Sequence, residues 1–123
     1  MKKLLASVGV MGLLLAPLSN MNNAHAYSSC HAPVIMWATG YSIYGYTASG
    51  AYVHPGTIAV DPTVIPLGST VWVSGIRYIT GKKKYLAEDT GSDIQGYRVD
   101  VWVPYTYLAY KITGWRSIRW CTY

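Results

Sequence analysis

Four of the five acidic residues in the chain, Glu88, Asp89, Asp93 and Asp100, fall within one stretch, AEDTGSDIQGYRVDVWV; the fifth is Asp61. Carboxylates gathered in this way can do general acid and base work, because a like charge nearby disfavours ionisation and lets one carboxyl keep its proton. In YRVDVWV the side chains alternate: Val99, Val101 and Val103 point one way and Arg98, Asp100 and Trp102 the other. The valine face reads as core. Asp100 then stands mid-strand on the opposite face, where β-propensity disfavours a carboxylate. Two readings are open, a surface aspartate paired with Arg98 or an acid placed for chemistry. Asp89 ends the preceding strand before the Thr90-Gly91 turn, so Asp89 and Asp100 flank one connection and can face one groove. Asp61, in IAVDPTVIPLGS, ends another strand ahead of a proline and can equally bond its own turn.

The elements that must position these acids are short. Turn residues recur at close intervals and bound candidate strands at 35–41, 57–60, 70–73, 77–80, 84–88, 99–103 and 117–121. Residues 105–112 lack breakers, follow Pro104 and precede Gly114, which predicts one short helix. So many short strands in so small a chain favour a closed barrel, since closure removes exposed edges. Lys82-Lys83-Lys84 follows Gly81 between two strands and reads as a solvated hairpin tip that could touch anionic polymer.

Lys2 and Lys3, an apolar run over 4–18 and the small-x-small Ala24-His25-Ala26 predict a removable export signal, 1–26. The run is short for a membrane span, so no stable insertion is expected after cleavage. A lipid-modified Cys30 is the weaker alternative, because the residue before it is Ser29 rather than Leu. The remaining 27–123 is one domain whose core alone is marginally stabilising. Cys30 and Cys121 lie near its two ends and read first as a disulfide, against a metal pair with His31 or His54 for which no ligand spacing is evident. Closing so long a loop is worth roughly 4 to 5 kcal/mol in the chain-entropy model. No cofactor or metal is implied.

Loss of Lys2 and Lys3 takes the basic count from 10 to 8 against 5 acids, a net charge of about +3. Such a field suits a polyanionic wall but gives no case for nucleic acid, and no basic helix adds one. The aromatic residues are 5 Trp and 12 Tyr with no Phe. Every ring therefore carries a polar edge, as surfaces that stack on sugars do, although secreted β-proteins also favour Tyr in strands.

The strings YTASG, IAVDPTVIPLGS and DTGSDIQGYRVDVW, in this order and spacing from about Ala38 to Val103, closely resemble the 3D domain family, named for three aspartates. The match continues more weakly through GWRSIRW. The resemblance implies an all-β fold, a small six-stranded double-psi β-barrel shared with the catalytic domain of membrane-bound lytic transglycosylase A and, more distantly, with expansins and rare lipoprotein A-type proteins. It aligns the three aspartates with Asp61, Asp89 and Asp100. The residue at the position of Asp100 is the catalytic acid of the lytic relatives, whose substrate is the peptidoglycan glycan strand. The family usually reads DTGGAIKG where this chain has Gly91-Ser92-Asp93-Ile94-Gln95-Gly96, so a glycine and a lysine are absent and Asp93 is added.

These readings converge on a secreted, wall-associated enzyme in which Asp61 and Asp89 crowd Asp100 and raise its pKa. Thr47 and Ser49 would donate hydrogen bonds at the groove, Gly91 would line it, and Trp102 would stack on a sugar. Three alternatives stay open: an expansin-like binding module, a regulatory barrel with its groove blocked by the altered loop, and a two-carboxylate hydrolase with Asp89 as base. The sequence sets no oligomeric state.

Overall fold

The computed structural model describes residues 29–123. The expected export segment, 1–26, lies outside the described residues. Six strands form a closed barrel: β1 (Ser29–Tyr41), β2 (Thr57–Val60), β3 (Thr70–Val73), β4 (Tyr85–Asp89), β5 (Arg98–Trp102) and β6 (Gly114–Thr122). Around the barrel they run β1-β5-β2-β4-β3-β6. The pairs β1·β5 and β2·β4 are parallel and the rest antiparallel. Among the described residues there are two helices, α1 (Arg77–Thr80) and α2 (Thr106–Ile112). Among the described residues no helix is long and apolar enough to cross a membrane.

Period-two alternation builds the core. Met36 and Ala38 from β1, Ile58 and Val60 from β2, Val99 and Val101 from β5, and Ile118 from β6 are fully buried, each large aliphatic contributing roughly 1.5–3 kcal/mol. Helix α2 lies flush on β1, where a Cβ on Gly40 would come within 2.7 Å of the Ala109 Cα and carbonyl oxygen. Cys30 and Cys121 are register partners on β1 and β6 and form a disulfide.

The expected barrel, short helix and disulfide are present, and two expectations are corrected. Residues 77–80 are helical, not a strand. Barrel closure pairs β3 with β4 and β6 and leaves this β-branched segment no partner, so it satisfies itself locally: Thr80 N donates to Ile76 O, and Gly81, at φ 74°, donates to Arg77 O. Intrinsic β-preference is weak without a neighbouring strand. The terminal strands also run longer than expected, because β1 and β6 pair along most of their length, from Ser29 opposite Thr122 to Ala38 opposite Gly114.

Candidate active site

Strands β4 and β5, joined by one connection, are not neighbours; β2 runs between them. Ala59 on β2 is the partner of Asp100 on one side and of Asp89 on the other, and Thr39 on β1 pairs with Asp100. One row across four strands therefore reads Thr39, Asp100, Ala59, Asp89. At a strand spacing of about 4.8 Å the two acid-bearing backbones stand about 10 Å apart, with only a methyl group between them. A register slip makes this possible. Ile58 pairs with Ala87 and Ala59 with Asp89, so Glu88 is skipped. Such irregularities re-aim side chains beside functional sites. The skipped Glu88 is buried and occupied, accepting from Thr57 Oγ1 at 2.9 Å and lying 2.8 Å from His54 Nε2.

The row opens into a groove of about 240 Å³ lined by Asp100, Asp89, Ala59, Tyr41, Tyr44 and Ile94, among others. Asp100 is half-buried and accepts a hydrogen bond from Thr39 Oγ1 at 2.9 Å. Its pKa is raised, chiefly by burial; the Thr39 bond and the Arg98 charge pull it down, and the Asp89 charge adds a smaller upward push. Burial, more than crowding, disfavours ionisation of Asp100. Asp61 takes no part in it. The expectation that two like-charged neighbours tune Asp100 is therefore corrected to one minor neighbour and desolvation.

Asp89 is held on three sides, by Tyr41 Oη at 2.9 Å, Ala48 N at 3.0 Å and Thr90 N at 2.9 Å. The Tyr41 hydroxyl is correspondingly hard to ionise: burial dominates, followed by its bond to Asp89 and the nearby acids. Thr39 and Tyr41 were not singled out from the sequence. Tyr41 lines the groove and Thr39 reaches Asp100 because β1 lies parallel to β5, and that long-range pairing has no local signal.

Arg98 acts on Asp100 through its charge, not as an ion pair at bonding distance. It makes no ion pair among the described residues, and its Nε is buried without a hydrogen-bond partner, a deficit worth about 1–3 kcal/mol. The surface-pair reading of Asp100 is excluded on this geometry. Nor do three His, Cys, Asp or Glu side chains converge on a metal site among the described residues.

The 3D domain model matches residues 56–119, more than half of the chain. The chain belongs to the 3D domain family. Two Bacillus subtilis (strain 168) relatives are similar to it. One is named the cell wall-binding protein YocH, 40% identical over 95 residues, covering 70% of this chain and 30% of the relative. The other, YabE, is named for cell wall shaping; it is 44% identical over 71 residues, covering 54% of this chain and 16% of the relative. The chain thus spans under a third of the length of either. Among solved structures, E. coli MltA with bound chitohexaose superposes with a TM-score of 0.49 at 17% identity, over 65% of this chain and 28% of that one. A Streptomyces papain inhibitor superposes with a TM-score of 0.44, also at 17% identity, over 78% of this chain and 96% of that one.

Not every residue expected at the site of this 3D domain reaches the groove. Asp89, Asp100 and Gly91 line it. Asp61 lies outside and is spent on architecture: Oδ1 accepts from Thr63 N and Oγ1 at 2.9 and 2.7 Å, and Oδ2 from Gly96 N at 2.7 Å. These bonds, the Gly96 amide foremost, hold its carboxyl below the usual range. Thr47 and Ser49 bond each other at 3.0 Å, and their turn docks on β4 through Ser49 N to Glu88 O. Ala48 between them donates its N–H to Asp89. Trp102 is only 4% exposed and donates from its indole N–H to Ile43 O at 2.9 Å; the ring open at that end of the groove is Tyr44, set edge-on to Trp102. The altered loop contributes Ile94 to the lining while Ser92 and Asp93 point to solvent, so it leaves the groove open.

Proposed function

We propose that this 3D domain is a secreted, cell-wall-associated enzyme that cleaves the glycan strand of peptidoglycan between N-acetylmuramic acid and N-acetylglucosamine by lytic transglycosylation. The observation that carries the reading is a single carboxyl, Asp100, with raised pKa at an open groove. That reaction needs one acid and no external nucleophile. Asp100 gives its proton to the glycosidic oxygen as the bond from the muramic C1 breaks. The C6 hydroxyl of the same ring then bonds C1 and passes its proton to the Asp100 carboxylate, which restores the acid. No water is consumed. Asp89, fixed by Tyr41 and two backbone amides, faces the site across Ala59, where positive character develops at C1. The wall-directed names of YocH and YabE accord with this substrate.

A non-catalytic wall-binding role is the second reading. It is favoured by the exposed rings of Tyr44, Tyr46 and Tyr52 beside the groove. Purified protein and its Asp100→Asn form, incubated with peptidoglycan and followed by mass spectrometry, separate the two. Products with 1,6-anhydro ends from the native protein alone support the enzyme, and reducing ends indicate hydrolysis. Binding without products leaves the module.

A further inference from the structure

One row of outward side chains lies beside the groove, and its only part in the chemistry above is the pull of the Arg98 charge on the Asp100 pKa. Trp37 on β1 is the register partner of Trp115 on β6 and of Arg98 on β5. Met36 and Ala38 are fully buried on the core side, so alternation turns Trp37, and with it the whole row, outward. The next outward row along β1 and β5 is Thr39 with Asp100, about 7 Å farther on. Trp115 is 68% exposed, and Trp37 meets it edge to face at 5.0 Å between ring centres. Arg98 completes the row, and its guanidinium makes no ion pair or side-chain hydrogen bond among the described residues.

An exposed indole beside an arginine that makes no ion pair among the described residues offers a surface for a sugar that carries its own anion. We propose that the row Trp115, Trp37, Arg98 is a subsite for a carboxylate-bearing sugar, the Trp115 face taking the ring and Arg98 the carboxylate. The inference rests on the glycan reading above and adds a selectivity to it. The lactyl group of N-acetylmuramic acid ends in a free carboxylate only where the stem peptide has been removed. Where the peptide is attached, that carboxyl is an uncharged amide. A guanidinium pairs two N–H groups with the two oxygens of a carboxylate, and an amide offers it one neutral acceptor. The subsite therefore favours peptide-free strands over peptide-bearing ones.

The test uses the Asp100→Asn protein, so that no ligand is consumed, titrated by calorimetry with three probes of equal length: a peptide-free glycan tetrasaccharide, its peptide-bearing counterpart, and chitotetraose, which has no lactyl group. The peptide-free glycan should bind about tenfold more tightly than either of the others. Adding Arg98→Gln should erase that difference and leave the chitotetraose affinity unchanged, while Arg98→Lys keeps part of it. Trp115→Ala should weaken all three. Circular dichroism of each variant confirms that the barrel is intact. Equal binding of the three probes, or a preference that survives Arg98→Gln, overturns the subsite and leaves the glycan reading standing. Failure to bind any of the three overturns both.

Discussion

Asp89 and Asp100 face one groove from strands that do not touch, and the residue that both of them pair with is Ala59. The acids are thereby held apart at a fixed spacing with the smallest chiral side chain as the floor between them. Ala59→Val should fill that floor with two methyl groups. Strand propensity improves with Val, so the thermal midpoint should hold. The glycan cleavage rate should fall by roughly 100-fold, the cost of displacing a substrate by about 1 Å. Melting curves and rates measured on the same preparation check both halves.

Thr39 donates to the ionised form of Asp100 and so works against its protonation. Thr39→Val removes that bond at nearly constant volume. The pKa of Asp100 should rise further, and the alkaline limb of the pH–rate profile should move to higher pH. Asp89→Asn removes an upward push and should move the limb the other way, by less than burial contributes. Rate profiles of the two variants against the native protein give the signs.

Asp61 should prove a stability residue. Its carboxyl is held below the usual range by three hydrogen bonds. The stability they give is full above the unfolded value of about 3.9 and is lost as pH falls through the lowered folded value. Asp61→Asn should therefore lower the melting temperature at neutral pH and flatten its decline in acid. Asp100 carries the opposite sign. With a raised pKa its folded state holds the proton longer, so stability falls as pH rises from about 3.9 through the raised value. Asp100→Asn should melt higher than the native protein at neutral pH. Calorimetric scans across pH distinguish the two patterns.

Gly40 sets how closely α2 lies on β1. Gly40→Ala places a Cβ 2.7 Å from the Ala109 backbone, and backbone cannot yield as a flexible side chain does. Overpacking of this kind costs about 1–3 kcal/mol, which urea denaturation should read as a lower midpoint with an unchanged slope.

Local pattern carried much of this account. The valine alternation in YRVDVWV placed Asp100 outward, and the Gly and Pro punctuation bounded most strands. Two cysteines near the ends of the expected domain pointed to the disulfide that joins β1 to β6. What local pattern could not carry was pairing between distant strands. That β2 stands between β4 and β5, that the register skips Glu88, and that Thr39 and Tyr41 reach the acids all depend on contacts 29 or more residues apart in sequence. For Asp61 the turn-bonding alternative was legible, and two of its bonds go to Thr63 in its own turn; the third, from the Gly96 amide on another loop, had no local signal. Residues 77–80 misled because β-branched composition argues for a strand only where a partner strand exists.

The central claim is that burial at the groove raises the Asp100 pKa. Carbon-13 NMR titration of its carboxyl carbon, in the native protein and in Asp89→Asn, tests it most directly. The account predicts a midpoint clearly above the reference value of about 3.9 in both, a little lower in the variant. A midpoint at or below that value in the native protein would contradict it.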